Sequence, residues 1–123
     1  ERTYAECLHQ AEQMLFEGNR VIVDATFREE RMRRTFLEAA VRWGVPANLL
    51  LCRAEPETVR HRLAQRQGDV SDADWSVYKH LAEHWEEVGA QTRPVCHVIV
   101  TEGGAEESLS RALAILRQCG LQE

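Results

Sequence analysis

A chain of 123 residues with a net charge of −5, 44% hydrophobic and 28% charged residues, has the make-up of one folded domain with a core, not of a disordered segment. The acidic balance counts against broad nucleic-acid binding, which needs a basic surface to displace counterions from phosphates, and no apolar run approaches the roughly 18 residues of a membrane span. Four scattered cysteines, Cys7, Cys52, Cys96 and Cys119, with no C-x-x-C pair, read as reduced thiols and lead us to expect a cytoplasmic protein.

From Arg2 to Phe16, Tyr4, Leu8, Ala11 and Leu15 recur at steps of four and three, the stripe of an amphipathic helix that Gly18 ends. The first pattern is already helical at Glu1, so the chain is expected to be the later part of something longer. Arg20-Val21-Ile22-Val23-Asp24-Ala25 reads as a strand buried on both faces, because three β-branched residues stand between Gly18-Asn19 and a strongly helical segment. A second helix is expected from Glu29 to Trp43, with Met32, Phe36, Ala39, Ala40 and Trp43 inward and Gly44-Val45-Pro46 as its stop.

Residues 48–52 form a second apolar strand. Glu55-Pro56-Glu57 opens a helix to Gln67, since proline fits a first turn and acids favour its amino end. Val59 and Leu63 face inward, and Gly68-Asp69-Val70 breaks the pattern. Ser71 is placed to cap a longer helix to Gly89, striped by Trp75, Tyr78, Ala82, Trp85 and Val88. Residues 95–101 read as a third strand. Glu102-Gly103-Gly104 then turns into a last helix, Ala105 to Cys119, with Leu109, Ala112, Leu113 and Leu116 inward. Strands alternating with helices predict an α/β fold, a parallel sheet with helices on both faces, and three strands leave that sheet short of at least one more.

Asp24 is the acid at the carboxyl end of the first strand, where open α/β sheets bind their ligands. Thr26 follows with a small hydroxyl. Among the 15 basic residues only Lys79 is a lysine, and arginines cluster at 28–34 and 53–66. Their planar forks suit phosphate, although solvated helix faces explain most of them equally well. Asp69, Ser71 and Asp72 are accounted for by helix capping, and His80 with His84 by a surface pair.

Val21 through Phe27, then Arg33 and Phe36, Gly44-Val45-Pro46, Arg62-Leu63-x-x-Arg66 and Asp69-x-Ser71-Asp72-Ala73 resemble, in order and spacing, the later part of P-loop kinase-like ATPases. The nearest set is the AAA_33 type, often predicted kinases and sometimes fused behind an aminoglycoside-phosphotransferase-like domain. Polynucleotide 5′-kinases and zeta toxins are more distant. The resemblance runs from about Tyr4 to Val88. It implies a P-loop NTPase-like three-layer sandwich that here lacks its N-terminal strand and phosphate loop, with one domain over 1–123 and a lid over about 57–75. No G-x-x-x-x-G-K-[ST] occurs in the chain, and Leu81 stands where the family pattern has glutamine.

The same resemblance implies ATP and Mg²⁺ as cofactors and gives the candidates their roles. Asp24 would hold a magnesium-bound water or orient the acceptor hydroxyl. Thr26 and Arg33 would contact substrate or phosphate. Arg62 and Arg66, one helical turn apart, would neutralise γ-phosphate charge, and Glu102, Gly103 and Gly104 would face adenine. Plain turn bonds, helix faces and a strand-to-helix turn remain open for each. The expected function is part of an ATP-dependent phosphotransferase acting on a hydroxyl of a small molecule, inactive as this piece alone. A non-catalytic nucleotide- or partner-binding module is the alternative. No nucleic-acid or membrane partner is expected, and self-association through an exposed sheet edge is.

Overall fold

The computed structural model describes residues 2–67 and 72–121. Where one domain is expected from the sequence, the chain divides into two compact units, Glu1–Ala47 with Glu86–Arg93, and Asn48–Trp85 with Pro94–Glu123. Each is described by itself.

The first unit is built on helices α1 (Arg2–Phe16) and α2 (Glu30–Trp43), which pack together. Ala11 of α1 and Ala39 and Ala40 of α2 are buried, as their stripes predict, whereas Trp43 lies at the exposed edge. Small residues on facing stripes let two helices approach closely. Both helices end at a left-handed glycine. Beyond α2, the Gly44 N–H donates to the Val41 carbonyl and the Val45 N–H to the Ala40 carbonyl, each at 3.0 Å, with Gly44 at φ 67°. Gly18 closes α1 in the same way, at φ 86°.

The predicted strand at 20–25 does not form. Val21 and Val23 are half-buried, but Ile22 is 92% exposed, so burial on both faces is also wrong. A strand exists only where a neighbour completes its ladder, and among the described residues the first unit contains no other strand. β-Branched residues supply propensity; they do not supply a partner.

The second unit contains β1 (Leu49–Arg53), α3 (Pro56–Gln67), α4 (Asp72–Glu83), β2 (Cys96–Val100) and α5 (Ala105–Gln118), with a 3₁₀ turn at Arg93–Val95 leading into β2. The strands are parallel and in register from Leu49 opposite Cys96 to Arg53 opposite Val100. The expected three-stranded sheet is therefore two-stranded among the described residues, and the fold is α/β with a small parallel sheet. Ile99 is buried and α5 packs on β2. A sheet this narrow cannot cover the whole helix: Ala112 and Leu116 turn inward, while Leu109 and Leu113, expected inside, are exposed.

The helix expected to reach Gly89 stops at Glu83, and Ala82 on its stripe is exposed. Within the first unit, the Glu86 N–H donates to the Arg28 carbonyl at 3.0 Å, and the Glu86 and Glu87 carbonyls accept from Arg33. Those tertiary bonds take the groups that a continued helix would have paired. Asp69 and the Ser71 cap lie outside the described residues, as does part of the expected lid. Among the described residues no helix is long and apolar enough to cross a membrane, and the four cysteines form no disulfide.

Candidate functional site

In the first unit, the loop carrying Asp24 and Thr26 turns on Phe27, a non-glycine residue at φ 45°. That left-handed conformation costs roughly 1–2 kcal/mol, so its surroundings must hold it. They do so on three sides. The Phe27 N–H donates to the Tyr4 hydroxyl at 2.9 Å, and its carbonyl accepts from Arg33 Nε at 2.8 Å. Its ring stands 5.4 Å from that of Tyr4 and 5.0 Å, edge-on, from that of Phe36. The Tyr4 hydroxyl also bonds Thr26 Oγ1 at 2.9 Å. Thr26 is thus held by the helix that precedes it. Asp24 is exposed and has no hydrogen bond or ion pair among the described residues.

Arg33 is 2% exposed and donates through all five of its N–H groups: Nε to Phe27 O, Nη1 to Glu30 Oε1 and Glu87 O, and Nη2 to Arg28 O and Glu86 O. The expectation that it touches phosphate or substrate is corrected. No donor is left over, and these acceptors offset the desolvation cost of burying a guanidinium. Beside it, Glu30 takes hydrogen bonds from Thr92 Oγ1 at 2.7 Å, from the Gly89 N–H and from Arg33. Burial opposes its charge, but these hydrogen bonds and the Arg33 charge outweigh it and hold the carboxyl below its ordinary range.

In the second unit, Arg62 of α3 reaches the turn after β2. Its Nη1 donates to Thr101 Oγ1 at 3.1 Å, and its Nη2 to the carbonyls of Thr101 and Gly103. Thr101 is itself tied to β1, donating to the Arg53 carbonyl through its N–H at 2.7 Å and its hydroxyl at 3.1 Å. The Glu102 carboxylate accepts from the Glu55 N–H at 2.7 Å and from the Thr58 hydroxyl, just where α3 begins. These bonds, with the Arg62 charge, lower its pKa. Glu102 therefore caps α3. At Gly103 an added Cβ would collide with Glu107 Oε2, so the room this glycine frees is occupied by a carboxylate. At Gly104 nothing lies within 4 Å of that position. Arg66 is exposed, with no partner among the described residues.

The candidates thus fall into two sets, Asp24, Thr26 and Arg33 in one unit and Arg62, Arg66, Glu102, Gly103 and Gly104 in the other. Three residues that pattern reading left aside shape them. Tyr4 was legible only as part of an apolar stripe, Arg60 only as one of the arginines clustered at 53–66, and Glu30 not at all. The Arg60 guanidinium lies 5.1 Å over the Trp75 ring and so links α3 to α4.

Among the described residues no three histidine, cysteine, aspartate or glutamate side chains stand together as a metal cage. Asp24 suits a different kind of ion. Magnesium keeps several waters and uses one or two carboxylates together with substrate phosphates, a demand one exposed acid can meet.

No curated protein and no solved structure gave a match. A family model described as an AAA domain, AAA_33, covers residues 1–88, more than half of the chain and all of the stretch from the Tyr4 clasp to the end of the Arg33 network at Glu87. This chain belongs to the AAA_33 family of P-loop kinase-like, nucleotide-binding ATPases, which generally bind ATP and Mg²⁺.

Proposed function

We propose that the chain carries the acceptor-side acid and the lid of an ATP-dependent phosphotransferase that acts on a hydroxyl of a small molecule in the cytoplasm. In this reading its sheet belongs to a three-layer sandwich with helices on both faces, and the chain alone is inactive. The observation that carries it is the Asp24 loop: a strained turn pinned by Tyr4 and Arg33, with the carboxylate beyond it exposed and unpaired. Strain held this firmly beside an uncommitted acid suits a group positioned for substrate.

Mg-ATP, when bound, supplies the phosphoryl group and neutralises its charge. Asp24 would hold the magnesium ion through water, or receive the hydrogen bond, and then the proton, of the acceptor hydroxyl. Arg66 is available for γ-phosphate charge as it stands. Arg62 serves the same role on leaving the Thr101 and Gly103 carbonyls. The chain contains no G-x-x-x-x-G-K-[ST], so titration of these 123 residues with Mg-ATP should give no micromolar affinity.

Asp24→Asn in the full-length protein tests the reading. Transfer from ATP to small hydroxyl compounds should lose about 10²–10⁴-fold in kcat, with the KM for ATP little changed. An unchanged kcat removes Asp24 from the chemistry. Absence of any transfer in the parent protein, together with retained nucleotide binding, favours a non-catalytic module instead.

A further inference from the structure

Along the second half of α1, the first unit has a groove of about 430 Å³ that the reading above does not use. His9, Glu12, Gln13 and Phe16 of α1, with Glu17 just past its end, supply one wall, and Trp43 supplies the other from the end of α2. The groove is shallow and open to solvent, with Phe16 80% exposed, so it suits a small ligand held at the surface and bound weakly. The Phe16 and Trp43 rings meet edge-to-face, with centroids 6.3 Å apart and planes at 76°, so they form an aromatic corner. Trp43 Nε1 donates to Glu12 Oε2 at 2.7 Å, which fixes the indole and holds one carboxylate against it. Among the described residues neither Glu12 nor Glu17 has a cationic partner.

We infer that this groove binds a small alkylammonium cation, such as a quaternary ammonium headgroup. Ring faces attract a cation through their quadrupole, and the methyl skirt of such a cation also covers apolar surface. The two carboxylates complement its charge and disfavour phosphate or carboxylate ligands. A bare divalent metal fits poorly, because the rings offer none of the oxygen ligands it needs.

Choline chloride titrated into the 123-residue chain tests this by calorimetry and by chemical-shift perturbation at Phe16 and Trp43. 3,3-Dimethyl-1-butanol, the neutral isostere, serves as the comparison. Saturable choline binding is expected with a Kd of about 1 mM, at least about tenfold tighter than the alcohol. Glu17→Gln and Phe16→Ala should each weaken it about twofold to fivefold. Phe16 is 80% exposed, so its removal leaves the fold intact, as an unchanged circular dichroism spectrum will show. Equal binding of the neutral isostere, no saturation, or unchanged affinity in either variant overturns the inference.

Discussion

Arg33 commits five N–H groups to four carbonyls and one carboxylate, and in doing so joins residues 27–28 to residues 86–87. Arg33→Met keeps most of the apolar stem but leaves those acceptors buried and Glu30 with only the more distant Arg34, at 3.9 Å, as a cation. The variant should lose about 3–5 kcal/mol, read as a lower urea midpoint at unchanged slope. Glu30 gives the same network a pH dependence. Its folded pKa lies below the ordinary 4.5, so its contribution is fully present above that value and is lost as pH falls through the lowered folded value. Urea midpoints measured from about pH 7 down to about pH 3 should therefore fall, and Glu30→Gln should show a shallower fall over the same range. A parallel decline in both proteins would place the acid sensitivity elsewhere. Arg33 illustrates how far residue type can mislead: an arginine that matches the family pattern suits a phosphate or substrate contact, but only the positions of distant carbonyls show that its donors are already used.

At the scale of elements, what the sequence stated most clearly was where helices stop. Gly18 and Gly44 are identifiable because only a residue without Cβ enters the left-handed region at no cost, a property of one position and its neighbours. Gly89 differs, since its meaning comes from a contact. An added Cβ would stand 2.7 Å from Glu30 Oε2 and 3.0 Å from its Cδ, and that carboxylate is locked by Thr92 and Arg33. Gly89→Ala should therefore cost about 1–3 kcal/mol by chemical denaturation. A neutral result would mean that the Glu30 clamp can shift freely. Along α3, Glu102 at the first turn and Arg62 at the second tie the helix to the turn after β2, so Arg62 and residues 101–103 form one hydrogen-bonded assembly. Their proximity was not legible, because 39 residues separate Arg62 from Thr101 and no local period spans that distance.

At the scale of the whole molecule, the parallel sheet is two-stranded among the described residues, so each strand has one edge without a ladder partner there, and Val98 and Val100 on β2 are exposed. Self-association of this chain through such an edge is the expected outcome, seen in light scattering as a mass that rises with concentration; a constant monomer mass would dismiss it. The AAA_33 relationship was readable from Val21 through Ala73 because it resides in residue identities and their spacing, and the match over residues 1–88 bears it out. Helix positions were readable for a similar reason: caps, stripes and stop glycines act over a few residues. The strand at 20–25, the length of α4 and the roles of Arg33, Glu30 and Glu102 were decided only by tertiary structure. Each depends on a partner far along the chain, a neighbouring strand, a carbonyl or a carboxylate, and a hydrogen bond exists only when both of its ends arrive.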